Sequence, residues 1–411
     1  MPLTVLIDLD DTLLENDIYK FLPHYLKALG KHLSPFVHPE RMAKELLAAT
    51  DAMTANNDAT LTLEEAFDAR FYPAIGVEKA LLHETLTDFY ERVFPDLQPL
   101  TSPRPAAVRL VDAALKKGHT VVIATNPLFP LRAITHRLAW ADLPSERYPF
   151  ALISSFEKFH YAKPNPGFIA ECIGQTGWEE QPAVMIGNSL VDDLLPAAHL
   201  GLPGFLVNSS PDPELEHKLP PHSSQGSLED AASWLDEIES ELTPPALNST
   251  QAVLTILKTT PAVLDTFGRT LSAQCWNEPL KEGEWCFTEI ICHLRDADAE
   301  INLPRFERIL NTANSFVAAV NADAWSETRG YCKESGSEAL KALNKVRGSL
   351  VERLQNLTPE QWETPASHAI FGPTTLRELA AFMAQHDRTH IQQARRTALA
   401  CLAARQKQPQ Y

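Results

Sequence analysis

The chain has 411 residues, a formal net charge of -17 and 44% hydrophobic residues, so it is long enough for two or three domains with cores of their own. The acidic balance argues against nucleic acid or an anionic membrane as a partner, because both need lysine and arginine to meet their phosphates. No apolar run is long enough to span a bilayer.

Acidic residues follow directly behind the short N-terminal apolar run, which is not the pattern of a signal peptide, so we expect a cytoplasmic protein. The cysteines show no C-x-x-C spacing, which predicts reduced, partly buried thiols. They are Cys172, Cys275, Cys286, Cys292, Cys332 and Cys401.

The first predicted element is a buried parallel strand over Thr4–Ile7, which ends directly before two carboxylates, Asp8 and Asp10. In an open parallel sheet, ligands bind beyond the carboxyl ends of the strands. Carboxylates two residues apart in an extended chain lie on one side, where they repel each other unless a cation such as Mg²⁺ lies between them. The alternative is an aspartate-rich turn whose side chains cap a helix.

The pattern Asp8-x-Asp10-x-Thr12 resembles the first motif of the haloacid dehalogenase (HAD) superfamily, whose members are mostly phosphatases. The resemblance implies an α/β, Rossmann-like core with a parallel sheet. It also requires three further motifs, in order, at the ends of later strands.

Residues 15–100, between the first and second predicted strands, have the apolar spacing of helices, and Thr62-x-x-Glu65 is a capping-box pattern. A helical insertion at this place resembles the cap of HAD phosphatases, which implies that it closes over the site and selects the substrate. The segment is rich in apolar residues and poor in clusters of arginine and lysine. This composition favours a small leaving group without high charge, although the helices could equally serve packing alone.

Two later motifs also follow predicted strands. Thr125 and Asn126 end the apolar run 120–124 and resemble the second HAD motif, while Lys163 opens a Lys-Pro-x-Pro segment that resembles the third. The prolines make a stiff helix entry that would hold the Lys163 ammonium in place. The resemblance implies that Thr125 and the backbone of Asn126 bind the phosphoryl group and that Lys163 neutralises it. The structural alternatives are an ordinary turn and an exposed lysine.

A fourth strand, predicted over 183–186, leads into Gly187-Asn188-Ser189 and then Asp192 and Asp193. This segment resembles the fourth HAD motif, which completes the Mg²⁺ site. Asn188 stands where the family usually has aspartate, so it brings an amide oxygen but no charge. Counting onward to the following Ala-Ala-x-x-Gly segment favours Asp193 as the second acid, with Asp192 as the alternative. A last strand is predicted at 206–207, and an exposed loop over 209–226.

The resemblance implies phosphoryl transfer through an enzyme aspartate. Asp8 would attack phosphorus, and Asp10 would protonate the leaving oxygen and then deprotonate water. Mg²⁺ held by Asp8, the backbone carbonyl of Asp10 and Asn188 would offset the charge, while Thr125 and Lys163 hold the phosphoryl oxygens. Dehalogenases and phosphonate-cleaving relatives lack an acid at the position of Asp10, so the expected substrate is a phosphate ester of a small metabolite.

The character of the chain changes after a linker predicted at 241–248. Residues 1–240 form the predicted HAD-like domain, and 249–411 form a predicted all-α four-helix bundle. The helices are expected over 250–272, 285–311, 337–357 and 375–404.

The predicted bundle carries a candidate metal site. His386 and His390 are four residues apart and share one helix face, and His293 lies midway along another predicted helix. Three neutral imidazoles leave an open position on a Zn²⁺- or Ni²⁺-type ion. Trp285-x-x-x-Glu289 before His293, and the sequence around His386 and His390, resemble the DinB/YfiT family of metal-binding four-helix bundles. That resemblance places all three histidines at the family's metal positions.

Three hypotheses follow from these patterns. The favoured one is a Mg²⁺-dependent phosphatase fused to a metal-binding bundle. In the second, the activity lies in the bundle, as a thiol-dependent transferase or hydrolase, because Asn188 weakens the first site. In the third, both halves form a non-enzymatic, metal-responsive interaction module. The sequence leaves the substrate, the bundle metal and the oligomeric state open, a homodimer included.

Overall fold

The computed structural model describes residues 2–178, 180–208, 212–279, 281 and 283–406. The chain divides into two compact units. The first holds residues 1–172 and 180–245, and the second holds residues 173–179 and 246–411. Residues 209–211 of the predicted loop and 407–411 of the predicted second domain lie outside the described residues, and the predicted domain bounds at 240 and 249 remain predictions.

Parallel strands form the centre of the first unit. The strands in chain order are β1 (Thr4–Ile7), β2 (Leu14–Glu15), β3 (Ser102–Pro103), β4 (Thr120–Ile123), β5 (Leu152–Ile153), β6 (Ala183–Gly187), β7 (Gly204–Val207) and β8 (Ser224–Gly226). Six of them form one parallel sheet in the order β5-β4-β1-β6-β7-β8, and β2 pairs with β3 in an antiparallel ribbon. Every residue of β1 is buried between β4 and β6. The predicted α/β core is therefore confirmed.

Helices surround this sheet and fill the insertion between β2 and β3. Up to residue 245 they are α1 (Ile18–His32), α2 (Pro39–Thr54), α3 (Leu63–Ile75), α4 (Lys79–Asp88), α5 (Pro105–Lys116), α6 (Leu131–Trp140), α7 (Pro166–Thr176), α8 (Leu195–Ala198), α9 (Pro213–Glu216) and α10 (Leu228–Ile238). Thr62 and Glu65 form the predicted capping box at the start of α3. Helices α1–α4 make up the cap, so the predicted helical insertion is confirmed.

Aromatic side chains hold the cap to the core of the first unit. Phe94 stacks on Trp140 of α6 with ring centroids 5.3 Å apart, and its edge meets Phe21 of α1 at 6.0 Å. Tyr25 of α1 meets Phe129, which precedes α6, at 5.4 Å. Because these rings are large and mostly buried, they fix α1 against the segment that follows β4.

The second unit is mainly helical. Its elements in chain order are α11 (Thr250–Thr270), α12 (Ala273–Asn277), α13 (Phe287–Asp296), α14 (Leu303–Asn311), β9 (Ser315–Val317), α15 (Trp325–Arg329), α16 (Gly336–Gln355), α17 (Pro359–Trp362), β10 (Pro365–His368), β11 (Gly372–Thr375) and α18 (Leu376–Gln406). Helix α11 packs against α16 and α18, and α13 packs against the same two helices. These four helices confirm the predicted bundle.

Three short segments are wound as π-helix, at 89–93, 190–194 and 297–302. Each is followed, two residues after its end, by a proline: Pro95, Pro196 and Pro304. Proline lacks an N–H, and its ring clashes with the carbonyl four residues earlier in an α-helix. The wider π turn accommodates that proline, so the helix predicted over 285–311 continues through 297–302 instead of breaking.

Three predictions about strands and loops were wrong. Residues 206–207 do not end the sheet, because β8 adds a further strand beyond β7, and the predicted loop 209–226 contains α9 and β8. The second unit, expected to have no strands, contains the sheet β11-β10-β9. These strands are three or four residues long, and β10 and β11 contain proline or glycine, so they lack the longer apolar pattern on which strand prediction depends.

The prediction of six reduced cysteines was also wrong. Cys275 and Cys401 form a disulfide with their Cα atoms 6.4 Å apart, across 126 residues of sequence. Spacing along the chain cannot reveal a pair that only the tertiary fold brings together. Cys172, Cys286 and Cys292 are free and buried.

No helix among the described residues is both long enough and apolar enough to cross a membrane.

Candidate active site and metal centre

The carboxyl end of β1 delivers Asp8 to the edge of the parallel sheet. Its carboxylate is buried and bound on both oxygens, since Lys163 Nζ lies 2.7 Å from Oδ1 and Thr12 Oγ1 donates to Oδ2 at 3.1 Å. Thr125 follows β4, the neighbouring strand, and is buried as well. Asn126 accepts a hydrogen bond from the backbone N–H of Lys163 at 3.2 Å.

Lys163 joins two strand ends. Its ammonium lies 2.5 Å from Oδ1 of Asp193, which follows β6, as well as contacting Asp8. The ends of β1, β4 and β6 and the loop before α7 therefore meet around one buried ammonium. Four of the residues singled out from the sequence, Asp8, Asn126, Lys163 and Asp193, are connected by direct hydrogen bonds.

The electrostatics of this group favour an added cation. Burial raises the pKa of Asp8 to about 7, the Lys163 ammonium opposes that shift, and Asp193 adds to it. Burial lowers the pKa of Lys163, but attraction to Asp193 and Asp8 outweighs it, so the net shift is upward. Two buried carboxylates thus share one ammonium, and the excess negative charge fits a hard cation such as Mg²⁺.

The structure distinguishes the two adjacent acids of the fourth motif. Asp193 faces Lys163 and accepts from the Ser189 backbone N–H at 3.0 Å, whereas Asp192 accepts from the Ser189 hydroxyl at 3.0 Å. Both lie in the π-helical segment 190–194, whose extra residue per turn shifts Asp193 toward the sheet edge. A Cβ built on Gly187 would overlap the Asp193 carboxylate, so this approach requires glycine.

Asn188 differs from the other residues predicted at this site because its side chain is exposed. Among the described residues, these acids do not form a compact group of three carboxylates that could hold a metal by side chains alone. The Mg²⁺ ligands predicted from the sequence, Asp8 with the neutral oxygens of the Asp10 backbone and the Asn188 amide, remain a prediction.

Asp10 is held by a residue that the sequence analysis missed. Its carboxylate pairs with the Arg137 guanidinium of α6 and accepts from Asn16 Nδ2 at 2.8 Å. Arg137 is 1% exposed and lies over the Phe129 ring at 4.6 Å. One feature of the sequence could have revealed Arg137: it is a charged residue on the apolar stripe of α6, three residues after Ile134.

Three imidazoles converge in the second unit. His293 comes from α13, and His386 and His390 come from α18. His386 Nε2 lies 3.1 Å from Nε2 of His293 and 3.1 Å from Nε2 of His390. Within the described part of the chain, this is the one group of three or more His, Cys, Asp or Glu side chains whose possible ligand atoms all lie within 4.8 Å of one another.

The surroundings keep these imidazoles in the form that binds metal. Burial, with the two neighbouring histidines, lowers the pKa of His293 to about 3. Burial also lowers the pKa of His390 to about 4 and shifts that of His386 downward. His390 Nδ1 lies 3.0 Å from Gln393 Oε1, so its N–H donates there and Nε2 presents a lone pair to the centre. Three neutral nitrogen donors fit a Zn²⁺- or Ni²⁺-type ion.

A buried ion-pair network fixes the helix that carries two of these histidines. Asp387 of α18 pairs with Arg347 of α16 and accepts from Thr260 Oγ1 of α11 at 2.7 Å. Arg347 Nε also donates to Asp298 at 2.5 Å. Because Asp387 lies between His386 and His390, these contacts set the rotation of α18 that turns both rings toward His293.

Comparison with known families matches a different family model to each half of the chain. Residues 3–201 match the family model described as haloacid dehalogenase-like hydrolase, and residues 256–394 match that of the DinB superfamily. The chain therefore combines a haloacid dehalogenase-like hydrolase domain with a DinB superfamily domain, and its first unit is a hydrolase of the haloacid dehalogenase type.

Individual relatives match one unit each. A phosphoglycolate phosphatase of Agrobacterium fabrum is 25% identical over 217 residues, which are 50% of this chain and 80% of that protein. One of Caulobacter vibrioides is 26% identical over 205 residues, which are 50% of this chain and 78% of that protein.

Among solved structures, a HAD phosphatase from Thermococcus onnurineus is 18% identical with a TM-score of 0.37, and the match covers 57% of this chain and 97% of that chain. YfiT from Bacillus subtilis, with a four-helix bundle, is 20% identical with a TM-score of 0.34, covering 37% of this chain and 86% of its own.

Replacing Gly187 with alanine should destabilise the first unit by about 1–3 kcal/mol, because the new methyl group overlaps the Asp193 carboxylate. Hydrogen exchange of peptides covering β1 and β6 measures this loss. Gly348→Ala is the matched control, since a Cβ at this helical position meets nothing within 4 Å and should leave stability unchanged or higher. Equal protection in Gly187→Ala and the unchanged chain would contradict the overlap.

Replacing His386 with alanine should remove the bound transition metal, because His386 Nε2 lies at the centre of the three nitrogen atoms. Elemental analysis of the purified chain should give about one Zn²⁺- or Ni²⁺-type ion per chain, and well under half of that in the variant. His217→Ala, at an exposed histidine of the first unit, is the control. A metal-free unchanged chain, or full metal content in His386→Ala, contradicts the site.

Proposed function

We propose that the first unit is a Mg²⁺-dependent phosphatase that cleaves the phosphate monoester of a small metabolite through an aspartyl-phosphate intermediate. One observation carries the proposal: a buried lysine ammonium bridges the carboxylate at the end of β1 and the carboxylate after β6. A nucleophilic carboxylate beside a fixed positive charge is what transfer of a dianionic phosphoryl group needs. The two relatives named as phosphoglycolate phosphatases add support.

In the first step, a carboxylate oxygen of Asp8 attacks phosphorus, and the bond from phosphorus to the ester oxygen breaks. Asp10 supplies the proton that the leaving oxygen needs. In the second step, Asp10 takes a proton from water, which attacks the same phosphorus and releases inorganic phosphate and the Asp8 carboxylate. Lys163 and Thr125 hold the phosphoryl oxygens throughout. Mg²⁺, when bound, offsets the negative charge between Asp8 and the phosphate.

Asp10 is held in place for this role. Arg137 and Asn16 each donate to one of its carboxylate oxygens, and the second lone pair of each oxygen is available for proton transfer at the leaving group. Arg137 thereby acts as a positioning residue for the acid and base.

The second unit is proposed to hold a divalent transition metal on His293, His386 and His390. Three neutral donors leave coordination positions for water or substrate, as in catalytic and not structural metal sites. A metal-dependent hydrolase or transferase activity in the bundle is the second candidate function, and the converging nitrogen atoms are the observation that favours it.

Replacing Asp8 with asparagine should abolish phosphate release, with a fall of about 10³-fold or more, because an amide cannot form the covalent intermediate. The assay follows inorganic phosphate from p-nitrophenyl phosphate and from phosphoglycolate with Mg²⁺. Asp96→Asn, the same change at an exposed cap residue, serves as the control. Activity that survives in Asp8→Asn, or is absent from the unchanged chain, would refute the phosphatase.

Replacing Asn188 with aspartate should lower the Mg²⁺ concentration needed for half-maximal activity by about tenfold, because a charged ligand replaces a neutral one. The measurement is a Mg²⁺ titration of phosphate release at constant ionic strength. Asn208→Asp, a change of the same charge beyond β7, should leave the titration where it is. An unchanged Mg²⁺ requirement in Asn188→Asp would mean that residue 188 does not contact the metal.

A further inference from the structure

The cap contains a cavity of about 560 Å³ that the catalytic groups do not fill. It lies among helices α1–α4 and the segments 128–132 and 156–157. Its volume falls in the usual range of small-molecule sites, roughly 300–1,000 Å³. The apolar part of its lining includes Leu22, Leu29, Leu46, Phe67, Leu86 and Phe129.

The charged groups of the lining are already paired with each other. Lys79 Nζ lies 2.7 Å from Glu64 Oε1 and 2.5 Å from Asp68 Oδ2. Arg132 pairs with Glu91 at 3.5 Å. Both the lysine and the arginine side chain of the described lining therefore carry acidic partners, which leaves the His83 imidazole as the remaining basic group.

Several neutral and acidic groups of the lining also have partners. The Tyr25 and Tyr90 hydroxyls bond each other at 2.9 Å, and Glu157 accepts from the Leu131 backbone N–H at 3.0 Å. Because most of the lining is aliphatic or aromatic and these polar groups are already hydrogen-bonded, the cavity favours an apolar ligand.

Two residues of the cavity wall lie close to the contacts that hold Asp10. Phe129 lines the cavity, and the Arg137 guanidinium that pairs with Asp10 lies over that ring at 4.6 Å. Ile18 also lines it, two residues along the chain from Asn16, whose amide donates to Asp10. The wall of the cavity therefore comes within two side chains of Asp10, the residue proposed to protonate the leaving group.

The cavity also has an apolar entrance. Ile18 and Leu47 both line it, yet they are 40% and 43% exposed. Large aliphatic side chains that line a cavity and also face solvent are what an opening for an apolar chain requires.

We propose that this cavity binds the hydrocarbon part of the substrate, so that the enzyme acts on the phosphate monoester of a long-chain aliphatic alcohol. The inference rests on the phosphatase function and specifies its substrate class. Taking a methylene as roughly the ~30 Å³ share of a water molecule, the cavity volume of about 560 Å³ equals about 19 methylenes, so a chain of ten carbons fits inside it. Phosphoglycolate carries a carboxylate in place of a hydrocarbon chain, and the lysine and arginine of the lining are already paired, so it is expected to be a poorer substrate than a long-chain alkyl phosphate.

The first test compares n-alkyl phosphates from ethyl to decyl with phosphoglycolate, using the full chain and Mg²⁺. The value of kcat/KM should rise about threefold to fourfold per methylene, the equivalent of about 0.8 kcal/mol, until the cavity is full. A flat series, or a higher kcat/KM for phosphoglycolate than for decyl phosphate, overturns the inference while leaving the phosphatase intact.

Matched variants locate the effect in the cavity. Leu47→Asp puts a charge at the entrance and should lower kcat/KM for decyl phosphate by about tenfold or more, with ethyl phosphate unaffected. Leu81→Asp makes the same change at a cap leucine that is 64% exposed and does not line the cavity, and it should alter neither substrate. Thr50→Trp fills part of the space and should shift the best chain length to a shorter alcohol. Equal effects of Leu47→Asp and Leu81→Asp contradict the site.

A binding measurement separates the two proposals if hydrolysis fails. Decanol carries the hydrocarbon without the phosphate, so it should bind the full chain in calorimetry and bind Leu47→Asp at least about tenfold more weakly. Decanol binding without hydrolysis of any ester would support hydrocarbon binding in the cavity and would contradict the phosphatase function. Decanol that does not bind, or binds both chains equally, overturns the inference.

Discussion

The buried ammonium of Lys163 lies between two carboxylates, Asp8 and Asp193, and the edge of the parallel sheet is arranged around it. Neither carboxylate would be stable there alone, since removing one partner of a buried ion pair leaves an uncompensated charge that costs about 3–5 kcal/mol. The backbone of Lys163 is in turn tied to Asn126. Strand ends that are distant in sequence therefore depend on one side chain, and the negative charge that remains fits a divalent cation.

A π-helical turn separates the two adjacent acids of the fourth motif. The chain widens into the π-helical segment 190–194 shortly before Pro196, whose missing N–H and bulky ring disfavour an ordinary α-helical turn there. The extra residue in that turn directs Asp193 toward Lys163 and leaves Asp192 with Ser189. Gly187 completes the arrangement, because any larger residue would occupy the space of the Asp193 carboxylate. The π-helical turn and Gly187 thus place the Asp193 carboxylate, and not that of Asp192, against the Lys163 ammonium.

The two units neutralise the charged or ionisable groups around their candidate binding sites by different means. Around the cap cavity, Lys79 and Arg132 are neutralised by acidic neighbours, which leaves a surface suited to hydrocarbon. In the bundle, burial keeps His293 and His390 neutral, which leaves nitrogen lone pairs suited to a metal ion. In both units the neighbouring charged side chains are already paired with each other. A ligand would therefore contact the hydrocarbon surface in the cap and the imidazole nitrogens in the bundle.

Local patterns in the sequence were enough to identify the strand that ends at Asp8, the helical cap and the i, i+4 pair His386 and His390, since each depends on spacing within a few residues. The position of Thr125 at a strand end followed from the same spacing, and the Lys-Pro-x-Pro segment singled out Lys163. Only the tertiary structure identified Arg137 as the partner of Asp10, the short strands β8–β11, and the disulfide of Cys275 with Cys401. The Arg137–Asp10 and Cys275–Cys401 pairs join residues 127 and 126 positions apart, where pairing is set by how the helices and strands pack and leaves no signal along the chain. The strands are only three or four residues long, which is too short for a periodic pattern to identify them.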